Sequence, residues 1–417
     1  MNKIVIAGGL SLAIKGLGDD AQLDVLCQGL RERLPNLEIV CLSRHPGKAY
    51  DELHGVKSIK NLDYDSRQES VGRWFRGLNP GDPTDHLREI VKAIDESDLI
   101  IIGGDPFIDM TLGFLKGPTP FAALLVTLAK FLQKPIMLYG VNIGYPLQTE
   151  IGRELTRYCV TNSDLVTVRE EFSRQALTDL GISDRDIHVL ADSAFGLNPI
   201  QGTEKGKKIL EKEDIHLKSD KVVGVSFRHM EWRWSHQDFE DHGAMMANIC
   251  DYMIENLDVD ILFIPQCTYN IDDEYEDDRV AAKYVFNKMK LKERAHRIKD
   301  EYPLGEMLSL YRLIDMIVSS KRHSLMFGAV HCVPPVGIGA EGHMKPILDE
   351  LSLGDSFVNI EEFSPDLLKM RIKQTWDDRE SITQRIDELL PALREKALQH
   401  AKLAADLIEN RQLVFSR

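Results

Sequence analysis

Apolar and polar positions alternate along this chain in a repeating rhythm. A short apolar run, residues 3–7, reads as a buried strand and leads through a Gly-rich turn into an amphipathic stretch over 20–34. Further strands are predicted at 37–42, 98–102, 135–140, 165–168 and 187–190. Helical periodicity falls between them at 85–96, 121–132, 148–160 and 171–180, the last closed by Gly181. Strands separated by helices of ~10–15 residues imply βαβ units and a parallel sheet.

Residues 199–221 break the rhythm. They are rich in Lys, Glu and Gly and read as a linker. The alternation then restarts. Strands are predicted at 222–227, 261–265, 316–319 and 335–338, with helices at 243–256, 277–289, 303–311, 323–331 and 364–376. A long charged helical pattern covers 381–410, where Pro391 should kink or divide it. The expected organisation is a Rossmann-like domain over 1–200, a linker over 201–220, a second Rossmann-like domain over 221–380 and C-terminal helices over 381–417. The fold class is α/β, with two Rossmann-like domains facing across a cleft (GT-B-like, as in many glycosyltransferases) and a helical extension. Ligands of open α/β sheets bind beyond the carboxyl ends of strands, at topological switch points.

Composition narrows the function. The 417 residues are 43% hydrophobic and 28% charged, ordinary for a globular chain. The formal charge of −15 argues against a general nucleic-acid binder. A few cleft arginines can still draw a small anion. The six cysteines show no C-x-x-C spacing, so neither a zinc knuckle nor a redox motif is expected. Buried free thiols in a reducing cytoplasm are the plain reading. Neither a signal peptide nor a membrane span is predicted, and a cytoplasmic location, with membrane association only through an acceptor, is expected.

Candidate chemistry lies at the strand ends. Gly16-Leu17-Gly18-Asp19-Asp20 opens a helix, where backbone N–H groups can approach an anion; Asp19 or Asp20 could instead cap that helix. Gly103-Gly104-Asp105 ends an apolar strand and is either a tight turn or a ligand contact. Arg169 follows strand 165–168 and offers a planar fork for phosphate or carboxylate, against the alternative of a surface pair with a nearby Glu. Asp192 could orient Arg169, bind a hydroxyl or finish a turn. Ser173 reads as a helix-start residue alone. Arg228 ends the first strand of the second half, with Trp232 and Trp234 nearby as stacking candidates. Gln266 follows strand 261–265. The acidic run Asp272-Asp273-Glu274 with Asp277-Asp278 reads as a solvated face, since a metal site needs convergent oxygens that spacing cannot supply. The strongest local signal is Ser319-Ser320-Lys321-Arg322-His323-Ser324-Leu325. There an imidazole suited to proton transfer stands beside two cations that can hold an anionic group.

These turns, in this order, resemble the polysaccharide pyruvyl transferase family over roughly residues 3–350. The resemblance rests on Gly18-Asp19-Asp20-Ala21, on Asp98 through Gly104, and on Val166-Thr167-Val168-Arg169 with Ser173, Leu177 and Leu180-Gly181. It continues through Asp192-Ser193-Ala194-Phe195, Val225-Ser226-Phe227-Arg228 and Ser319 to His323-Ser324-Leu325. It implies a two-domain fold and transfer of pyruvate from phosphoenolpyruvate to sugar hydroxyls as a ketal, with no other cofactor and no metal. His323 would be the general acid or base. Arg169 and the basic residue before His323 would hold the donor's phosphate and carboxylate. Two departures stand out. Lys321 replaces an expected Arg, with Arg322 in an apolar slot, and Asp105 and Leu17 replace an expected Gly and Asn.

The expected function is therefore pyruvyl transfer. A small anionic donor and a carbohydrate acceptor, free or lipid-linked, are the partners; a homo-oligomer stays open. Two rivals remain: a nucleotide-sugar-dependent glycosyltransferase with Asp19 or Glu341 as base, and a paralogue that binds a glycan or partner without turnover.

Overall fold

The structure, a computed structural model, describes residues 2–9, 16–64, 73–82, 85–107, 118–143, 147, 149–227, 236–268 and 277–415. It divides into two units. One comprises Met1–Ile14, Asp19–Gly196 and Arg394–Arg417, the other Lys15–Gly18 and Leu197–Leu393.

The first unit is built on seven parallel strands. In chain order they are β1 (Lys3–Gly8), β2 (Glu38–Ser43), β3 (Lys57–Lys60), β4 (Leu99–Gly103), β5 (Ile136–Val141), β6 (Leu165–Val168) and β7 (His188–Val189), arranged β3-β2-β1-β4-β5-β6-β7. Every residue of β4 and β5 is buried, the signature of a sheet covered on both faces. The helices are α1 (Leu17–Arg33), α2 (Lys48–His54), α3 (Asp85–Asp95), α4 (Pro118–Phe131), α5 (Glu150–Asn162) and α6 (Glu171–Asp179). One face packs against α3 to α6 through Ile90, Phe121, Leu125 and Val160. The other packs Ile4, Ile6 and Ile101 against Leu23, Leu26 and Leu30 of α1. The order reverses between β1 and β4, which pair from Ile4 with Leu99 to Gly8 with Gly103. Gly103 and Gly104 therefore lie at a switch point. Gly104 has φ +81°, a conformation that favours glycine.

The second unit has six parallel strands. They are β8 (Val222–Ser226), β9 (Asp260–Phe263), β10 (Ala295–Arg297), β11 (Met316–Ser319), β12 (Pro335–Gly339) and β13 (Phe357–Asn359), in the order β10-β9-β8-β11-β12-β13. Its switch point falls between β8 and β11, where Ser226 pairs with Ser319. The helices are α7 (Glu204–Lys212), α8 (His236–Leu257), α9 (Asp278–Lys288), α10 (Leu304–Met307), α11 (Arg322–Val330), α12 (Glu341–Glu350) and α13 (Pro365–Asp377). Helix α13 starts at a Ser364 side chain that accepts from Leu367 N, with Pro365 in the first turn.

Two features differ from the sequence expectations. The stretch read as a linker contains α7, whose Ile209 and Leu210 are buried. Its Lys- and Glu-rich outer face masks a two-residue apolar stripe. Helix α14 (Arg379–Phe415) runs through Pro391 without ending there. Ala401, Ala404, Ala405 and Ile408 of that helix join the α1 side of the first core. Among the described residues no helix is long and apolar enough to cross a membrane.

Candidate active site

The second unit gathers its chemistry at the β8/β11 switch point. β11 ends at Ser319, whose side chain accepts from Lys321 N at 2.8 Å and donates to Ser226 O at 2.9 Å. This turn sets Lys321 before the first residue of α11 and His323 in its first turn. Lys321 is buried. Its Nζ lies 2.9 Å from Asp278 Oδ1 and donates to Cys267 Sγ at 3.3 Å. Asp278 Oδ2 accepts from the backbone N–H of Gln266 (2.9 Å) and Cys267 (2.8 Å). Burial raises the Asp278 pKa, and the Lys321 ammonium pulls it back.

Gln266 extends the cluster. Its Nε2 donates to Tyr311 Oη at 2.7 Å, and that hydroxyl shares a 2.8 Å hydrogen bond with Ser324 Oγ. Gln266 O accepts from Leu17 N at 3.0 Å, and Gly16 forms an antiparallel bridge with Cys267. The Gly16–Gly18 backbone is thereby placed against His323. A Cβ built on Gly18 would stand 2.0 Å from His323 Nδ1, so only glycine leaves room for the ring in this position. His323 itself is half-buried. Gln266 Oε1 and Ser226 Oγ are among the buried polar atoms of this unit that have no hydrogen-bond partner among the described residues. Unsatisfied buried polar atoms are rare in folded proteins, and both residues lie just at or beyond strand ends.

In the first unit Arg169 follows β6 and is 1% exposed. Its Nη1 donates to Asp192 Oδ2 at 3.1 Å, and its Nη2 donates to Asp105. Its Nε has no hydrogen-bond partner among the described residues. Burial alone would lower the guanidinium pKa; Asp105, Asp192 and Glu170 outweigh it and raise the value. Asp192 is fully buried. It accepts from Gln22 Nε2 (3.2 Å to each oxygen) and from Ala194 N (3.0 Å), which also starts the 3-10 turn Ser193–Gly196. The residue thus both orients Arg169 and finishes a turn. The nearby Glu170 takes other partners, Asn142 Nδ2 at 2.6 Å and the Ser173 hydroxyl.

The sequence pattern of the polysaccharide pyruvyl transferase family matches residues 17–341 of this chain. The chain belongs to the polysaccharide pyruvyl transferase family. The match takes in the cluster residues described in both units. A curated relative, the amylovoran biosynthesis protein AmsJ of Erwinia amylovora, is 20% identical over 333 residues, covering 78% of this chain and 76% of AmsJ. Among solved structures, Anabaena Alr3699/HepE in complex with UDP-glucose is similar at TM-score 0.62 and 12% identity, covering 98% of this chain and 100% of that one. UDP-GlcNAc 2-epimerase from Methanocaldococcus jannaschii is similar at TM-score 0.58 and 12% identity, covering 89% and 92%. At such identity the likeness speaks to fold: two parallel α/β sheets of the GT-B class with a helical C-terminus.

Within this pyruvyl transferase-family chain the sequence candidates fall as follows. Gly18, Gln266, Lys321 and His323 come together in the second unit, and Arg169, Asp105 and Asp192 in the first. Gly103 and Gly104 immediately precede Asp105. Asp19 lies in the first turn of α1, half-buried. Arg322 is buried, with Nη1 3.4 Å from His343 O on α12, so it is built into the unit's interior. Arg228, Trp232, Trp234 and Asp272-Asp273-Glu274 lie outside the described residues. Asp277 and Asp278 correct the reading of a solvated face: both are buried, Asp277 capping α9 through Arg279 N and Asp278 holding Lys321. Among the described residues no group of three His, Cys, Asp or Glu side chains could hold a metal. Ser173 does more than start a helix, because its hydroxyl accepts from Ile143 N at 2.9 Å. Four cysteines are buried, whereas Cys267 and Cys332 are half-buried. Tyr311 and Gln22 escaped the sequence reading, since their partners lie 45 and 170 residues away; Ser324 was visible there only as a neighbour of His323, and Cys267 only as a free thiol.

Proposed function

We propose that this protein transfers a pyruvyl group from phosphoenolpyruvate to two hydroxyls of a sugar, forming a ketal and releasing phosphate. His323 acts as general acid and delivers a proton to the methylene carbon of the donor. The C2 carbon becomes electrophilic and a sugar hydroxyl adds to it, losing its proton. The C–O bond to phosphate breaks, and a second hydroxyl closes the ketal with loss of its own proton. Lys321 stabilises the anionic charge of the donor. Arg169 is the first unit's candidate for a substrate phosphate or carboxylate.

The observation that carries the proposal is the pairing of His323 with Lys321 at a switch point, in a chain that matches the family over residues 17–341. Gln266 Oε1 and Ser226 Oγ, buried without a hydrogen-bond partner among the described residues, support a polar ligand in the same unit. Incubation with phosphoenolpyruvate and a panel of bacterial glycans tests it. Phosphate release with a matching ketal methyl signal is expected, and its loss in His323→Asn would follow. No consumption of phosphoenolpyruvate with any acceptor would overturn it.

One observation favours a second reading, binding without turnover. Both terminal nitrogens of Arg169 are already engaged by carboxylates, and Lys321 is engaged by Asp278. Saturable ligand binding with no product over hours would select that reading.

A further inference from the structure

His400 lies on α14, beyond the residues matched to the family, and is 0% exposed. Its neighbours along the same helix face are small and apolar: Ala397, Ala401 and Ala404. A buried imidazole in such a seam costs desolvation unless both ring nitrogens find partners. Both do. Nδ1 lies 2.8 Å from Thr167 Oγ1, and Nε2 lies 2.9 Å from Ala191 O. Ala191 O can only accept, so Nε2 carries the proton and Nδ1 accepts from the Thr167 hydroxyl. Thr167 in turn accepts from Gly140 N at 2.8 Å.

The two anchor points are informative. Thr167 is two residues before Arg169, on the same side of the strand path. Ala191 immediately precedes Asp192. One imidazole therefore ties the Thr167 side chain to the Ala191 carbonyl, on either side of the Arg169–Asp192 ion pair. A Cβ built on Gly140, whose φ is +53°, would lie 3.5 Å from His400 Cε1 and 3.6 Å from Arg169 Cγ. Such a Cβ would only touch both groups at ordinary van der Waals distance, so it is the positive φ that favours glycine there, with His400 and Arg169 packed side by side against it. The Tyr139 ring, 4.9 Å from the imidazole between centroids, closes another side. Burial first, and then the nearby Arg169 and His188, keep His400 neutral, opposed by the Ala191 bond and Asp192.

We propose that His400 is a positioning residue for Arg169: it fixes the guanidinium by holding Thr167 and Ala191 at a set separation. The value of this device rests on Arg169 binding a substrate anion, the reading given above. Its mechanical part does not.

The test uses the full chain, with arginine side chains labelled for NMR and the Arg169 signal assigned through Arg169→Lys. His400→Leu removes both imidazole hydrogen bonds, and Thr167→Val keeps the shape while removing the hydroxyl's bonds to His400, Gly140 N and Leu138 O. Hydrogen exchange of Arg169 Nε–H should quicken by about tenfold in both, with circular dichroism unchanged. His400→Asn, which restores the acceptor, and His400→Gln, which restores the donor, should each recover part of the protection. If His400→Leu fails to fold, Thr167→Val and His400→Asn carry the comparison. Unchanged Arg169 exchange in every folded variant would overturn the inference. Affinity for phosphoenolpyruvate, measured alongside, separates the two claims. Faster Arg169 exchange with unaltered affinity would support the brace and remove Arg169 from the donor site.

Discussion

Replacing Gly18 with alanine should disable this protein while leaving it folded. The new Cβ would stand 2.0 Å from His323 Nδ1, 2.4 Å from Cγ and 2.6 Å from Cε1. Carbon and nitrogen at rest sit ~3.5 Å apart, so the ring must retreat by roughly 1.5 Å. Two effects on stability oppose each other. Alanine in a helix is favoured over glycine by about 0.5–1 kcal/mol. Crowding a packed contact costs about 1–3 kcal/mol. His323 is half-buried and can turn away, so the net loss should be near the lower end. Activity has no such relief: a misplacement of about 1 Å in a catalytic group can cost on the order of a hundredfold in rate. The assay is phosphate release from phosphoenolpyruvate with an accepted glycan, together with thermal melting and a crystal structure of the variant. Gly305→Ala serves as control, because nothing lies within 4 Å of its added Cβ. A Gly18→Ala enzyme with wild-type turnover and an unmoved His323 ring would refute the argument.

Lys321→Met should cost about 3–5 kcal/mol in unfolding experiments, because it strands the buried Asp278 carboxylate. Adding Asp278→Asn should recover most of that stability and none of the activity. Acid should weaken the fold in a defined window. His400 and His331 are buried and their pKa values are pushed down to about 4 from 6.5, in both mainly by burial. The unfolded chain binds protons there that the folded one refuses, so each histidine's stabilisation is full above pH ~6.5 and is lost as pH falls toward 4. At pH 5 each should cost about 2 kcal/mol relative to pH 7, measurable by urea unfolding, and His400→Gln should abolish about half of the combined effect.

The sequence pattern disclosed the elements whose residues must be apolar on every side. β4, β6 and β11 read as nearly continuous apolar runs because a sheet covered on both faces leaves few polar positions, here Thr167 and Ser319, each buried and hydrogen-bonded. The turns after them carried Arg169 and Lys321 to strand ends, where their candidacy was visible. Strands β3, β10 and β13 were not legible. Lys57-Ser58-Ile59-Lys60, Ala295-His296-Arg297 and Phe357-Val358-Asn359 are short and lie at or near the open sides of their sheets, so they need little apolar surface. Asp278 looked like part of a solvated acidic run, since charge density along a chain says nothing about which carboxylate will meet an ammonium from 43 residues away. Asp105 was legible as an anomaly. Its consequence, a carboxylate on the Arg169 fork, needed coordinates.

The most direct measurement is a calorimetric titration of phosphoenolpyruvate into the wild-type protein and into the stability-compensated Lys321→Met, Asp278→Asn double variant. Saturable binding to the wild type, weakened at least tenfold in the variant, is the result the account predicts. Absence of binding at millimolar donor, or equal affinity in both proteins, would contradict it.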